Sequence, residues 1–369
     1  MNRFVSIICC GTILSFGASL LGACVSDSSS QTLTVTNDWV TVETEPYRGK
    51  RDSISFVDAQ TGWYGTGKGD LFRSEDGGDS WNLIKSKPGT FIRAVAFQDR
   101  LTGYIGNVGT DYYPGVTDET PLYKTLDGGK TWTPVDLQGQ TIKGVCAIDL
   151  LKTERIYQGK LRTSTVIHAA GRVGGPVGIL RSVDDGKSWT VIDMNDHAGM
   201  ILDVKFFSER EGLVFAATSS DVSIANGLIL KTQDGGQSWQ QVYQSDRPME
   251  LVWKASFPNN SHGYATVQSY NPDRATQLIV KTTDGGETWT EMEMTQNAKA
   301  RQFGIGFVDE NYGWVGTMAG GFFTSDGGDS FQEVPIAKAA NKFQILRPKD
   351  ESPIIWTIGT EVQRLDLRQ

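Results

Sequence analysis

Ser74-Glu75-Asp76-Gly77-Gly78-Asp79-Ser80-Trp81 is the first of six copies of one octad. TLDGGKTW at 125–132, SVDDGKSW at 182–189, TQDGGQSW at 232–239, TTDGGETW at 282–289 and TSDGGDSF at 324–331 follow. Asp76, Asp127, Asp184, Asp234, Asp284 and Asp326 align, 42–57 residues apart. Repeats of this period are units that cannot bury their apolar faces alone and must stack. Each octad reads as a folded hairpin turn. Its glycines permit positive φ, and its Asp carboxylate accepts hydrogen bonds from turn N–H groups. The Ser or Thr hydroxyl satisfies further backbone groups, and Trp81, Trp132, Trp189, Trp239 or Trp289 packs beneath. Repeating one catalytic site in every unit makes no chemical sense, so these Asp residues read as structural. A calcium loop would need a bidentate Glu at its twelfth position, which is not regularly present.

Working outward, each octad is flanked by short strand patterns. Ser53–Phe56, Thr61–Gly65, Asp70–Ser74 and Ser80–Ile84 make one four-stranded unit, and Gly304–Phe307, Gly313–Gly316, Gly321–Thr324 and Ser330–Val334 another. Four antiparallel strands per repeat describe a propeller blade. A seventh blade is split: Lys342–Arg347, Ile354–Gly359 and Glu361–Leu367 supply three strands, and Asp38–Val42 the fourth, with Trp39 in the place of an octad Trp. The expectation is an all-β fold, one seven-bladed β-propeller of four-stranded antiparallel blades over 38–369, closed by its N-terminal strand. Closure removes a free sheet edge. The alternative is six full blades with disordered ends. The 42 Gly and 10 Trp suit many short strands joined by tight turns.

The segment before the propeller reads as an address. A basic start at Arg3 precedes the uncharged run Phe4–Leu21, and Leu21-Gly22-Ala23-Cys24 looks like a bacterial lipobox. Residues 1–23 are then a lipoprotein signal peptide, Cys24 the acylated residue, and 24–37 a flexible Ser/Thr-rich tether. An ordinary signal peptide or an uncleaved anchor is the competing reading. Val25 stands where Asp commonly retains such proteins at the inner membrane, so the expected location is extracytoplasmic. A lipid anchor in the outer membrane, facing the periplasm or the cell surface, is favoured. Cys146 is then the one remaining thiol, in the apolar run Gly144–Ile148, and reads as a buried structural Cys.

Composition narrows the function. With 35 Lys and Arg against 43 Asp and Glu, net −8, the chain lacks the positive footprint of a nucleic-acid binder. Three His do not suggest a His-rich metal site, and no strand–GxGxxG–helix unit offers a dinucleotide fold, so no cofactor or metal is expected. Loops Val108–Pro121, Ala170–Gly178, Thr218–Gly227 and Gln268–Gln277 are long, and should wall a lopsided cleft opposite the octads. Tyr112, Tyr113, Tyr270 and Arg274 are its candidate contact residues. Residues entering the inner strands should ring the channel mouth: Arg51, Arg93, Lys143, Asp203, Trp253 and Arg301. A basic mouth on an acidic protein suits an acidic peptide segment or a carboxylate.

The octads match the Asp-box, or BNR, pattern. Together with Phe56-Val57-Asp58, Gly62-Trp63 and Gly65, repeated at Phe307-Val308-Asp309, Gly313-Trp314 and Gly316, they resemble the photosystem II stability/assembly-factor-like propellers. The resemblance covers essentially all of 38–369 and implies a non-catalytic scaffold that binds a protein or membrane-protein complex during assembly. Asp boxes also occur in sialidases, xyloglucan hydrolases and sortilin-like receptors, so a carbohydrate-active or glycan-binding propeller is the alternative. Sialidase chemistry needs an arginine triad and a Tyr/Glu pair. No early Arg-Ile-Pro motif is present, and no Tyr/Glu pair stands out.

Overall fold

A computed structural model describes Val35 and residues 37–367, apart from Gln158, Lys349 and Asp350. The signal-peptide segment and Cys24 lie outside the described residues, as does nearly all of the tether. The described chain forms seven four-stranded antiparallel sheets. Blade 1 is Ser53–Phe56, Gly62–Gly65, Asp70–Ser74 and Asn82–Ser86, and blade 2 is Ile92–Phe97, Gly103–Asn107, Leu122–Thr125 and Thr133–Pro134. Blade 3 is Ala147–Tyr157, Lys160–Gly171, Gly178–Ser182 and Thr190–Asp193. Blades 4, 5 and 6 have inner strands Met200–Phe206, Glu250–Ser256 and Gln302–Phe307. Blade 7 is Lys342–Leu346, Ile354–Ile358 and Val362–Asp366, completed by Val40–Val42. The ring is therefore closed from both ends of the chain, in the register Val40↔Arg364 to Val42↔Val362.

The blades are glued by a repeated aromatic sandwich. Phe56, Phe97, Phe206 and Phe307 end their inner strands opposite Gly62, Gly103, Gly212 and Gly313. The ring lies flat on that glycine: a Cβ there would sit 2.4–2.6 Å from it. Its other face stacks on the second-strand aromatic of the preceding blade, with centroids 3.5–3.8 Å apart for Trp63–Phe97, His168–Phe206, Tyr264–Phe307 and Trp356–Phe56. Trp63 Nε1 and Trp356 Nε1 then donate to the carbonyls of Gly128 and Gly77, inside the next blade's octad, at 3.0 and 2.8 Å. Burial and hydrogen bonding thus act at one seam.

Blade 7 lacks an octad, and the N-terminal segment substitutes for it. Trp314 Nε1 donates to Asn37 Oδ1 at 2.7 Å. Trp39 stands edge-on to Trp314 at 5.8 Å, as octad Trp189 does to Tyr104 at 5.9 Å. The octads behave as the sequence predicts. In the second, Asp127 Oδ1 accepts from Thr131 N and Oδ2 from the Thr131 hydroxyl, while Thr125 Oγ1 accepts from Gly129 N. Two details differ. The outer strands start beyond the octad, at Asn82 rather than Ser80 in blade 1, because Ser80 and Trp81 belong to the turn. The octad Trp residues are mostly half-buried, and only Trp189 is fully covered.

Candidate functional site

The inner strands are sheet edges facing a central channel, so their N–H groups need partners. Side chains of the neighbouring blade provide them. Ser53 and Ser55 Oγ accept from Val95 N and Phe97 N at 2.9 and 3.0 Å. Asp149 Oδ2 accepts from Phe206 N at 3.0 Å, Asp203 Oδ2 from Ala255 N at 3.1 Å, and Ser256 Oγ from Phe307 N at 2.9 Å. The channel carboxylates are therefore part of the wall. Each is also neutralised: Asp149 by Lys205 at 3.0 Å, Asp203 by Lys254 at 3.5 Å, and buried Asp52 by both Lys50 and Arg93.

Around these three carboxylates four cations, Arg93, Lys205, Lys254 and Lys342, line a cavity of about 180 Å³ bordered by all seven inner strands, while Lys50 lies over the Trp253 and Phe303 rings. Burial, reinforced by Lys254, lowers Lys342 to about 8. Burial also pushes Lys50 well down, helped by Arg93 and Lys254, and pushes Lys254 down against the attraction of Asp203. The interior is an electropositive socket inside an acidic protein.

Above the socket, on the face opposite the octads, lies an Arg–aromatic rim. Four inner strands carry β-bulges here, between Ile92 and Ala94, Ile201 and Asp203, Val252 and Ala255, and Gln302 and Ile305. A bulge leaves a residue unpaired and re-aims its side chain. The bulged positions include Arg93, Leu202, Trp253 and Phe303, which meet across the ring. Arg93 lies over Trp253 at 5.1 Å, Trp253 stands edge-on to Phe303 at 6.0 Å, and Trp253 Nε1 donates to Asn341 Oδ1 at 2.8 Å. Arg301 lies over Tyr270 at 4.6 Å and has no ion pair among the described residues. Phe91 stacks on Tyr113 at 4.7 Å, and Tyr112 stands edge-on to Tyr113 at 4.8 Å.

The structure thus gathers Arg93, Trp253, Arg301, Tyr112, Tyr113 and Tyr270 at one end of the channel, with Asp203 in the wall of the socket beneath them. Three expected residues do other work. Arg51 is not at the mouth. It is buried between blades 1 and 7, donating to the carbonyls of Thr360 and Glu45 at 2.8 Å and facing Tyr64 at 5.5 Å, so it clamps the closure. Lys143 points away from the channel, exposed, and pairs with Asp111 at 3.6 Å. Arg274 is engaged with buried Glu250 at 3.3 Å and secures its loop. Missed by the sequence reading were Lys50, Asp52, Lys205, Lys254, Lys342 and Asn341. Counting back from the Phe at the end of the inner strand would have found Asp52, which is four residues before Phe56 as the named Arg93 and Trp253 are before Phe97 and Phe257. Also missed was Arg172, which ties two wall loops together through Gly175 O at 2.8 Å and Val108 O at 3.3 Å. Among the described residues no cluster of three His, Cys, Asp or Glu is placed to hold a metal ion.

Comparison with known proteins agrees on architecture. No family model matches the chain. A xyloglucanase of Paenibacillus sp is 30% identical over 104 residues, which cover 24% of this chain and 10% of that enzyme. The chain therefore spans a tenth of the length of that curated relative. YCF48 bound to D1 peptide superposes with a TM-score of 0.60 at 17% identity, over 90% of this chain and 96% of that one. YCF48 from Cyanidioschyzon merolae gives 0.60 at 14%, over 89% and 98%. The GH74 enzyme of Niastella koreensis gives 0.56 at 17%, over 86% of this chain and 52% of the enzyme. At these identities the likeness is one of fold, and the fold is the seven-bladed propeller.

Proposed function

We propose that this propeller is a non-catalytic binding scaffold, tethered to a bacterial membrane through Cys24. Its rim receives an acidic segment of an extracytoplasmic protein or membrane complex and so assists assembly or stability. One observation carries the reading: four cations against three paired carboxylates in the channel, beneath a rim where Arg301 lies over Tyr270 with its charge uncommitted. Arg and aromatic side chains around a desolvated socket suit a carboxylate-bearing peptide. A solved structure of this fold, YCF48, holds a peptide, and the chain matches nearly its whole length. The tether reading is supported by Leu21-Gly22-Ala23-Cys24.

The second reading is a carbohydrate-active propeller, favoured by the xyloglucanase stretch and the GH74 fold neighbour. Against it, Asp52, Asp149 and Asp203 are each engaged in an ion pair with a Lys or Arg, whereas a glycosidase needs a protonated acid beside a free carboxylate. The chain also covers only half of that GH74 enzyme.

The test is co-purification from gently solubilised membranes, with the native chain compared with Arg301→Glu. Arg93 is left intact, because reversing it would set a carboxylate against buried Asp52. A defined complex lost in the variant is the expected result. A complex unchanged in the variant would move the site off the rim. No protein partner, together with turnover of xyloglucan or sialosides, would establish the second reading.

A further inference from the structure

Blade 3 departs from its siblings on the octad face. In blade 4 the first hairpin ends at the pair Phe206↔Gly212, where Gly212 faces octad residue Thr232. The equivalent pair in blade 3 is Leu150↔Ile167, because Ile167 faces octad residue Ser182. Here the two strands continue, paired without interruption to Tyr157↔Lys160. The stretch beyond buried Thr165 is a bare two-stranded ribbon of five pairs, which projects roughly 17 Å at the usual rise per residue.

The ribbon does not look like a loop built for water. Ile156 and Leu161 are cross-strand partners near its tip, 79% and 64% exposed. In sequence, residues 152–162 carry Lys152, Arg155, Lys160 and Arg162 against one carboxylate, Glu154, in a chain of net charge −8. An exposed apolar pair on a ribbon of net positive charge matches the boundary of an anionic bilayer.

The fold also says which way the membrane lies. Val40–Val42 is the outer strand of blade 7, and Asn37 just before it occupies the place of an octad turn. The chain leading back to Cys24 therefore enters the propeller on the octad face, the face from which the ribbon projects. Blades 7 and 3 lie across the ring from one another.

We infer that the blade 3 ribbon is a second membrane contact, seating Ile156 and Leu161 at the surface of an anionic bilayer. With the tether it holds the octad face toward the lipid and turns the Arg301–Tyr270 rim into the aqueous space. The inference rests on the tether reading above. It adds an orientation that the tether alone does not impose, since a single point of attachment does not fix which face meets the lipid.

The experiment uses the full chain, produced with its own leader, purified from membranes and reconstituted into vesicles containing phosphatidylglycerol. An environment-sensitive dye is attached at Thr163→Cys on the ribbon or at Asp273→Cys on the opposite face. Quenchers are carried on the lipid chains, and flotation of the vesicles reads the anchor separately. The expected result is several-fold stronger quenching at 163 than at 273. Ile156→Asp/Leu161→Asp should abolish the difference while the chain still floats. It should also weaken when phosphatidylcholine replaces phosphatidylglycerol. A floating chain with no quenching at 163, or with equal quenching at 273, overturns the ribbon contact and leaves the tether standing. Dimerisation that the double Asp variant abolishes, without lipid quenching, overturns it in favour of a second copy as the occupant. A chain that does not float removes the tether reading, and the two-point seating with it.

Discussion

At the residue scale, the octad carboxylates are the most legible chemistry in the chain. Asp127 and Asp234 are held at about 2 by the hydroxyl and backbone N–H of Thr131 and Ser238. At Asp76, Asp184 and Asp284 partial burial pulls upward, but bonds from Ser80, Ser188 and Thr288 prevail, and these too lie at about 2. A depressed carboxylate contributes stability above its unfolded value, and the contribution disappears as pH falls through the folded value. Acid unfolding should therefore steepen between about pH 4 and about 2, measured by circular dichroism against denaturant. His168 works earlier. It is buried and stacked on Phe206, neither ring nitrogen has a partner among the described residues, and burial lowers it to about 3. The unfolded chain binds its proton first, so stability should fall as pH drops below 6.5, by roughly 3 kcal/mol by pH 4.5. His168→Phe should flatten that slope; an unchanged slope would place the titration elsewhere. The octad Trp residues divide by burial. Trp189→Ala should cost about 3–5 kcal/mol, whereas half-buried Trp239→Ala should cost about 2, both read from urea titrations.

At the scale of the element, the strand-ending Phe and its facing Gly form one device. The recurring Phe-x-Asp run makes sense in these terms: in Phe97-Gln98-Asp99, Phe97 caps the seam, and two residues on, Asp99 Oδ1 accepts from Leu101 N and Thr102 N to turn the chain. The turn delivers Gly103 beneath the ring, where a Cβ would come within 2.4 Å of it. Gly103→Ala should therefore destabilise by about 1–3 kcal/mol through overpacking alone, since strand backbone tolerates Ala. A neutral result would mean that the ring can leave its seat. The inner strands show what pattern reading misses. Alternation predicts which residues face the channel only while the ladder is regular. Bulges at Arg93 and at Trp253-Lys254 break the period, bringing residues of both pleat faces to the rim.

At the scale of the whole molecule, two properties belong to the closed ring. The first is closure itself. A chain beginning after Val42 would lose the outer strand of blade 7, Trp39 and the Asn37 acceptor, and would bare the edge Val362–Asp366. Such a chain should aggregate or be cleaved first in blade 7, as read by size-exclusion chromatography and limited proteolysis. The second is the potential of the channel. Lys342, at about 8, is protonated below that pH and attracts anions; above it, the attraction fades. Affinity for an acidic peptide should fall as pH rises from about 7 to 9.5, with proton uptake on binding near pH 8.5, both seen by calorimetry. Lys342→Ala should remove most of the dependence.

The sequence alone determined the architecture, because the octad is a local object. Its hydrogen bonds run among eight consecutive residues, so the repeat, the four strands around it, the blade count and the split seventh blade were all legible. Trp39 could be assigned to the closure for the same reason. The site was less legible, because it is assembled from one or two residues of each blade. Arg93, Trp253 and Arg301 were found, whereas Arg51 was misplaced and Lys50, Lys254 and Lys342 were overlooked. Whether a cation faces a channel, a seam or solvent depends on bulges, on neighbouring N–H groups that claim the carboxylates, and on which loops touch across the ring. The blade 3 ribbon is the same lesson on the other face. No octad or turn motif marks its residues, and only the register against Ser182 reveals that they leave the sheet.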